Sequence, residues 1–312
     1  MSDLIKKLQD ELKSIHHNLS QIAPPEPLPV PQTLDTYMGN RERTLIIGGG
    51  EIGKSLQAVL SSAYDVHIKD REPNSEIDKK WFRVIHICFP YSSQFIEEVE
   101  KYNKQFRPEL VIIHSTIKPE TTKKLGSNFV HSPVNGKHPN LAKSILTFTK
   151  FVGGNDIYPV FAAVAHLNRA GIKTQVMADS TATELAKILC TTYYGWNIVF
   201  MKEVARLCQK YGVPFQEVYT EWNNSYNQGY SELGEYRFLR PVLFPLQGTI
   251  GGHCVIPNCD LLDDYLTEQV KGRNETYKQR KTNDVQTKGL DMPSPKPTRG
   301  RKKDDHIPPK AK

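Results

Sequence analysis

Apolar residues along the chain follow three successive patterns. Ile5, Leu8, Leu12, Ile15, Leu19 and Ile22 alternate spacings of three and four, the seam of an amphipathic helix. Such a helix either pairs as a short coiled coil or lies on the body of its own chain. The proline-dense stretch 23–32 ends it and forms a stiff extended spacer. From Thr44 onward, short apolar runs alternate with amphipathic stretches. Strands are expected at Thr44–Ile47, Tyr64–Asp70, Val84–Phe89, Leu110–His114 and Asn128–His131, and Lys150–Gly154 is expected to close the sheet. Helices are expected over Ile52–Ser61, Ser92–Phe106 and Lys118–Leu125. A third pattern begins near Thr181, where a run to Gly212 is apolar over a broad face, as suits a helix packed on both sides. A shorter helical region and a loop carrying Gly251-Gly252-His253-Cys254 follow.

This order predicts an α/β fold: a doubly wound parallel sheet, a smaller all-helical domain, an N-terminal helix and a disordered C-terminal tail. The expected divisions are an N-terminal helix at 1–22, a Pro-rich linker at 23–41, a sheet domain at 42–178, a helical domain at 179–268 and a basic tail at 269–312. Charge supports the last boundary. The net charge is +7, yet from Lys271 onward 13 lysines and arginines face five acids, so the tail carries +8 and the rest is near neutral. With five prolines and almost no large apolar residue after Leu290, the tail cannot bury enough surface to offset its chain entropy. It reads as a solvated segment, with contact to nucleic acid or an anionic surface the less favoured alternative.

Five cysteines spread over a long chain resemble thiols in a reducing compartment more than a disulfide framework. No run approaches the roughly 18 apolar residues of a membrane span, and no signal-peptide core opens the chain. A cytoplasmic protein without membrane contact is expected.

The chemistry concentrates first at Gly48-Gly49-Gly50-Glu51-Ile52-Gly53, a G-x-G-x-x-G sequence between a strand and a helix, with Asp70 placed 20 positions after Gly50. In such a turn Gly48 allows the sharp bend, Gly50 the approach of a pyrophosphate, and Gly53 close helix packing. Amides at the start of the helix, near Glu51 and Ile52, favour phosphate. Asp70 would accept hydrogen bonds from a ribose and repel a 2′-phosphate, which selects NAD. The sheet domain is therefore Rossmann-like, with Pro90, Ser115, Thr116 and Pro133 at strand ends where ligands bind. Cys254, Cys259 and His253 lack the spacing of a usual zinc site, so no metal is expected. His114, His131 and His138 lie at strand ends, and no spacing singles one out as a base.

Taken in order, the glycine motif, Phe89-Pro90, His114-Ser115-Thr116, Ser132-Pro133, Val152-Gly153-Gly154, Glu184-Leu-Ala-Lys187 and Gly251-Gly-His-Cys254 resemble the UDP-glucose/GDP-mannose 6-dehydrogenase family. The Gly-Gly-His-Cys form is most similar to the UDP-N-acetyl-hexosamine branch. The resemblance spans about Thr44 to Leu262. It implies an NAD-dependent oxidation of a sugar or nucleotide-sugar alcohol, with Cys254 as nucleophile, Lys187 stabilising an oxyanion and moving protons, and Thr116 placing water or substrate. Cofactor contacts would come from Gly48, Gly50, Glu51, Ile52, Gly53, Asp70, Pro90 and Ser115. The expected partners are a small-molecule substrate such as a sugar nucleotide and a second copy of the chain. The family has Glu where this chain has Val134, Asn where it has Thr191 and Asp where it has Asn258. It also has a third domain that grips the nucleotide. These departures support an alternative, a catalytically degenerate NAD-binding or scaffold protein. A simpler hydroxy-acid dehydrogenase built on the same two domains is a third option.

Overall fold

The computed structural model describes residues 41–70, 77, 81–136, 139–252 and 254–284. The helix expected over 1–22, the linker to residue 40 and the tail beyond 284 lie outside these. In chain order the described elements are β1 (Arg43–Ile47), α1 (Glu51–Leu60), β2 (Asp65–Lys69), β3 (Val84–Ile87), α2 (Phe95–Phe106), β4 (Leu110–Ile113), β5 (Phe129–His131), α3 (Leu141–Thr147), β6 (Lys150–Gly154), α4 (Ile157–Arg169) and β7 (Thr174–Val176). The helical part holds α5 (Ser180–Tyr211), a π-helical turn at Gln216–Glu221, α6 (Trp222–Glu232), α7 (Val255–Cys259) and α8 (Tyr265–Asp284).

Seven strands lie in the order β2-β1-β3-β4-β5-β6-β7. Both faces are covered, so the strands read as continuous apolar runs rather than alternating ones. Side chains still divide with period two. Ile46, Val84, Cys88 and Ile112 enter the core beneath α1, α3 and α4, while Leu45, Ile47, Ile85, Ile87, Val111 and Ile113 enter the core beneath α2. In the helical part α7 and α8 close on α5 through Val199, Val255, Cys259, Val270 and Tyr277. A Cβ on Gly195 would stand 2.8 Å from Val255 Cγ1 and 2.9 Å from Val270 Cγ1, so only glycine lets both approach.

Three expectations need correction. The sheet is not wholly parallel: β6 runs antiparallel to β5 and parallel to β7, which is the edge strand that β6 had been expected to be. Lys118–Leu125 is not a helix but a single 3-10 turn over Thr122–Lys124. The amides of Glu120 and Thr122, 2.6 and 2.9 Å from the Glu184 carboxylate, bond that side chain instead of helical carbonyls. A helix also crosses the expected tail boundary at 269. Helix α8 continues to Asp284 and buries Val270 and Tyr277. Glu268, Arg273, Glu275 and Lys278 are exposed on it, and a composition count cannot separate such solvated residues from an unfolded tail. Among the described residues no helix is long and apolar enough to cross a membrane.

Candidate functional site

The turn after β1 is built by steric exclusion. Gly48 has φ +106, and a Cβ there would stand 2.9 Å from the backbone carbon of Cys88. A Cβ on Gly53 would fall on the Gly48 carbonyl oxygen, so α1 presses directly on the loop. Gly50, the N-cap of α1, has open space where a Cβ would sit and brings no side-chain cap. The helix start is therefore accessible at the one glycine whose expected role is close approach of a phosphate. The Gly49 amide donates to Asp70 Oδ2 at 3.1 Å, which brings the Asp70 carboxylate onto the glycine loop. Glu51 is exposed and Ile52 half-buried. Pro90 is exposed at the end of β3, and Ser115 is buried and donates from Oγ to the Phe89 carbonyl, tying two strand ends together. These residues fit a dinucleotide: an open glycine turn, an uncapped helix start and a carboxylate on the loop.

Lys187 lies in the second turn of α5 and points at the loop after β5. Its Nζ donates to the Val134 carbonyl at 2.8 Å and to Asn135 Oδ1 at 3.3 Å. Burial lowers its pKa, and the thiols of Cys190 and Cys254 act in the opposite direction. Cys254 directly precedes α7, whose Asn258 is bonded to Thr191 of α5, so the thiol and Lys187 stand on neighbouring segments although 67 residues separate them. Of the five cysteines, Cys88, Cys208 and Cys259 are buried while Cys190 and Cys254 are exposed. Burial pushes the Cys88 thiol up to about 12, so it cannot supply a thiolate near neutral pH. Thr116 is half-buried on the loop behind β4, and no hydrogen bond joins its side chain to Lys187 or Cys254 among the described residues.

The three departures from the family pattern form a consistent set. Val134 is buried in the sheet core and offers Lys187 a carbonyl in place of a carboxylate. Thr191 and Asn258 meet each other: Asn258 Nδ2 donates to Thr191 Oγ1 at 3.1 Å. This bond ties α7, which starts beside Cys254, to the turn of α5 that follows Lys187.

Several buried polar groups were not singled out as candidates from the sequence. Glu184 is fully buried and accepts from Glu120 N, Thr122 N and Thr122 Oγ1. Lys150, at the start of β6, is buried and donates to the carbonyls of Ser132 and Pro133. His86, His114 and His166 form a buried row, with His86 Nδ1 2.8 Å from His114 Nε2 and His86 Nε2 3.1 Å from His166 Nε2. The end of the row sets its proton polarity. His114 Nδ1 lies 2.9 Å from the Ser132 carbonyl, which can only accept. Nδ1 of His114 therefore carries the hydrogen, His86 donates from Nδ1 to His114, and His166 donates from Nε2 to His86. Burial lowers the pKa of all three, to about 3 for His166, so the row is neutral at physiological pH. A histidine inside the otherwise apolar β3 was the available signal.

No protein-family model matches the chain. A UDP-N-acetyl-D-mannosamine dehydrogenase of Methanococcus maripaludis (strain S2) is 30% identical over 112 residues, which is 33% of this chain and 26% of the relative. The chain thus matches only about a quarter of the length of that curated relative. Among solved structures, a UDP-D-ManNAc dehydrogenase from Pyrococcus horikoshii superposes with a TM-score of 0.63 at 20% identity, over 78% of this chain and 70% of that one. A Mycobacterium tuberculosis 3-hydroxyisobutyrate dehydrogenase with L-serine gives 0.57 at 16% identity, over 78% of this chain and 95% of that one. At these identities the structural likeness speaks to the fold.

Proposed function

We propose that this chain, whose sequence and fold fit the UDP-sugar 6-dehydrogenase family, is an NAD-dependent oxidoreductase acting on a sugar or nucleotide-sugar alcohol. The observation that carries the reading is the pairing of a dinucleotide-type glycine loop, faced by Asp70, with a Lys187 amine on the segment neighbouring an exposed Cys254 thiol. A bound NAD would supply the hydride acceptor. The rest of the chemistry belongs to the chain. Gly48, Gly50 and Gly53 shape the phosphate turn, and Asp70 takes the ribose hydroxyls and excludes a 2′-phosphate. Glu51, Ile52, Pro90 and Ser115 line the same approach. Lys187 relays the proton that leaves the substrate hydroxyl and, as an ammonium, stabilises the oxyanion that follows. Cys254 then adds its sulfur to the carbonyl carbon while Lys187 gives a proton to the carbonyl oxygen and takes up the thiol proton in return, so that the adduct is a neutral hemithioacetal. Thr116 would orient substrate or water from the neighbouring loop.

Val134 favours a second reading, since the carboxylate that would assist hydrolysis of a thioester is replaced by a buried apolar side chain. In that reading the chain either performs one hydride transfer or binds NAD without turnover. The division into a Rossmann-like unit and a helical unit near residue 178 belongs to the same proposal. So does a homodimer, formed over the face of α5 that exposes Tyr193, Phe200 and Tyr211. Loss of the dimer in Phe200→Asp, read by sedimentation, tests that part.

The function is tested by NADH formation with a panel of UDP-, GDP- and free sugars. The expected result is turnover in the wild type and none in Cys254→Ala, with NAD binding unchanged in both. Equal turnover in Cys254→Ala removes the nucleophile. Silence over the whole panel with intact NAD binding favours NAD binding without turnover.

A further inference from the structure

Ser132, Pro133 and Val134 form a short strap behind β5, and lysines hold it from two directions. Lys150 Nζ donates to the Ser132 carbonyl at 2.6 Å and to the Pro133 carbonyl at 3.0 Å. Lys187 Nζ donates to the next carbonyl, Val134, at 2.8 Å. Ser132 O also receives the Nδ1 hydrogen of His114, which fills both of its lone pairs. Three successive carbonyls are therefore fixed by two amines and one imidazole, none of them neighbours in sequence.

Lys150 is not needed to build β6. Its place in the ladder is secured by the backbone, with its amide donating to Lys173 O at 2.8 Å and the residue in register with Thr174. The residue is 4% exposed. An apolar residue there would avoid burying an ammonium, which is tolerated only where it is fully hydrogen-bonded, but it would leave the buried Pro133 carbonyl without the donor that holds it. Both of its acceptors among the described residues lie on the strap.

We infer that Lys150 is a positioning residue for the Lys187–Cys254 site: it fixes the strap from below, and through the Val134 carbonyl it fixes where the Lys187 amine stands. This rests on the reading that Lys187 activates Cys254. Burial brings the Lys150 amine down to about 7. The neutral amine keeps two N–H groups for two carbonyls, so the clamp survives loss of the proton.

The test is the rate at which iodoacetamide alkylates Cys254, resolved by peptide mass, in the full chain without cofactor at neutral pH. Lys187→Met is expected to slow it by roughly tenfold, because a nearby ammonium stabilises the thiolate. Lys150→Met is expected to lose at least half of that effect on a logarithmic scale. The double variant should react as Lys187→Met alone, because Lys150 acts through Lys187. Lys150→Arg, which keeps donors for both carbonyls, should stay within about threefold of wild type. A slow Lys187→Met beside a wild-type Lys150→Met overturns the inference and leaves the Lys187–Cys254 reading intact. A Lys150→Met effect that persists in the Lys187→Met background also overturns it, since the residue would then act by another route. Wild-type reactivity in Lys187→Met removes the reading and the inference together. If Lys150→Met does not fold, Lys150→Arg decides: a rate near wild type supports the positioning role, and a rate at the Lys187→Met level overturns it.

Discussion

Gly53 has no room for a side chain, because its missing Cβ would occupy the place of the Gly48 carbonyl oxygen. Gly53→Ala must push α1 off the glycine turn and move the helix start that faces Gly50. The expected outcome is a loss of about 2–3 kcal/mol of stability and of detectable NAD binding, read by denaturant unfolding and calorimetric titration. A folded variant that still binds NAD would separate the turn from the cofactor. Residues such as Gly53 were legible in the sequence because their partners are near: the G-x-G-x-x-G spacing encodes a local turn. Lys187 and Cys254 were legible only through the order of motifs. Lys150, Glu184 and the histidine row were missed because their partners lie 18, 62 and up to 80 residues away. No periodicity or spacing rule spans such distances, and composition cannot separate a buried lysine from a solvated one.

At the scale of elements, the same carboxylate explains a missed fold feature and a junction. Glu184 sits in the second turn of α5 and holds the 3-10 turn at Thr122–Lys124 by three short hydrogen bonds. It thereby joins the sheet part to the long helix that carries Lys187, three residues further on. Burial raises its pKa, and the hydrogen bonds from Thr122 and Glu120 oppose that rise. Glu184→Gln replaces an acceptor with a donor facing donors that have no other partner. It is expected to cost about 2–3 kcal/mol and to raise hydrogen exchange at Glu120 and Thr122. A variant with unchanged exchange at those two amides would show that the turn is held elsewhere. The strands and α5 were legible because their apolar runs are long or continuous. The 118–125 segment was not, since its helical pattern lost to a side chain 62 residues distant.

For the whole molecule, the sequence conveyed a mostly parallel sheet with flanking helices but placed the tail too early and hid the polar interior. That interior makes stability depend on pH in a definite direction. His86, His114, His131 and His166 are buried and hydrogen-bonded as neutral rings, with pKa values lowered by burial, to about 3 for His131 and His166. Unfolded histidines bind protons near pH 6.5, so below that pH the unfolded chain holds more protons than the folded one and stability falls. Each ring contributes a slope of up to about 1.4 kcal/mol per pH unit between its two pKa values. Lys150 acts with the same sign at higher pH. Its folded pKa of about 7 lies below that of an unfolded lysine, so its destabilising effect is complete below pH 7 and fades as pH rises toward roughly 10.4. Two measurements follow from the two windows. Unfolding free energy of the wild type is expected to drop steeply between pH 6.5 and about 4.5, through the histidines, because charging any of the four rings carries a desolvation cost and a second proton on His86 or His114 also breaks the row. The difference between wild type and Lys150→Met is expected to shift in favour of the wild type between pH 7 and about 9, as the buried lysine gives up its charge. A flat acid limb would mean that the histidines are solvated, and a pH-independent difference would mean that Lys150 keeps an ordinary amine pKa inside the fold.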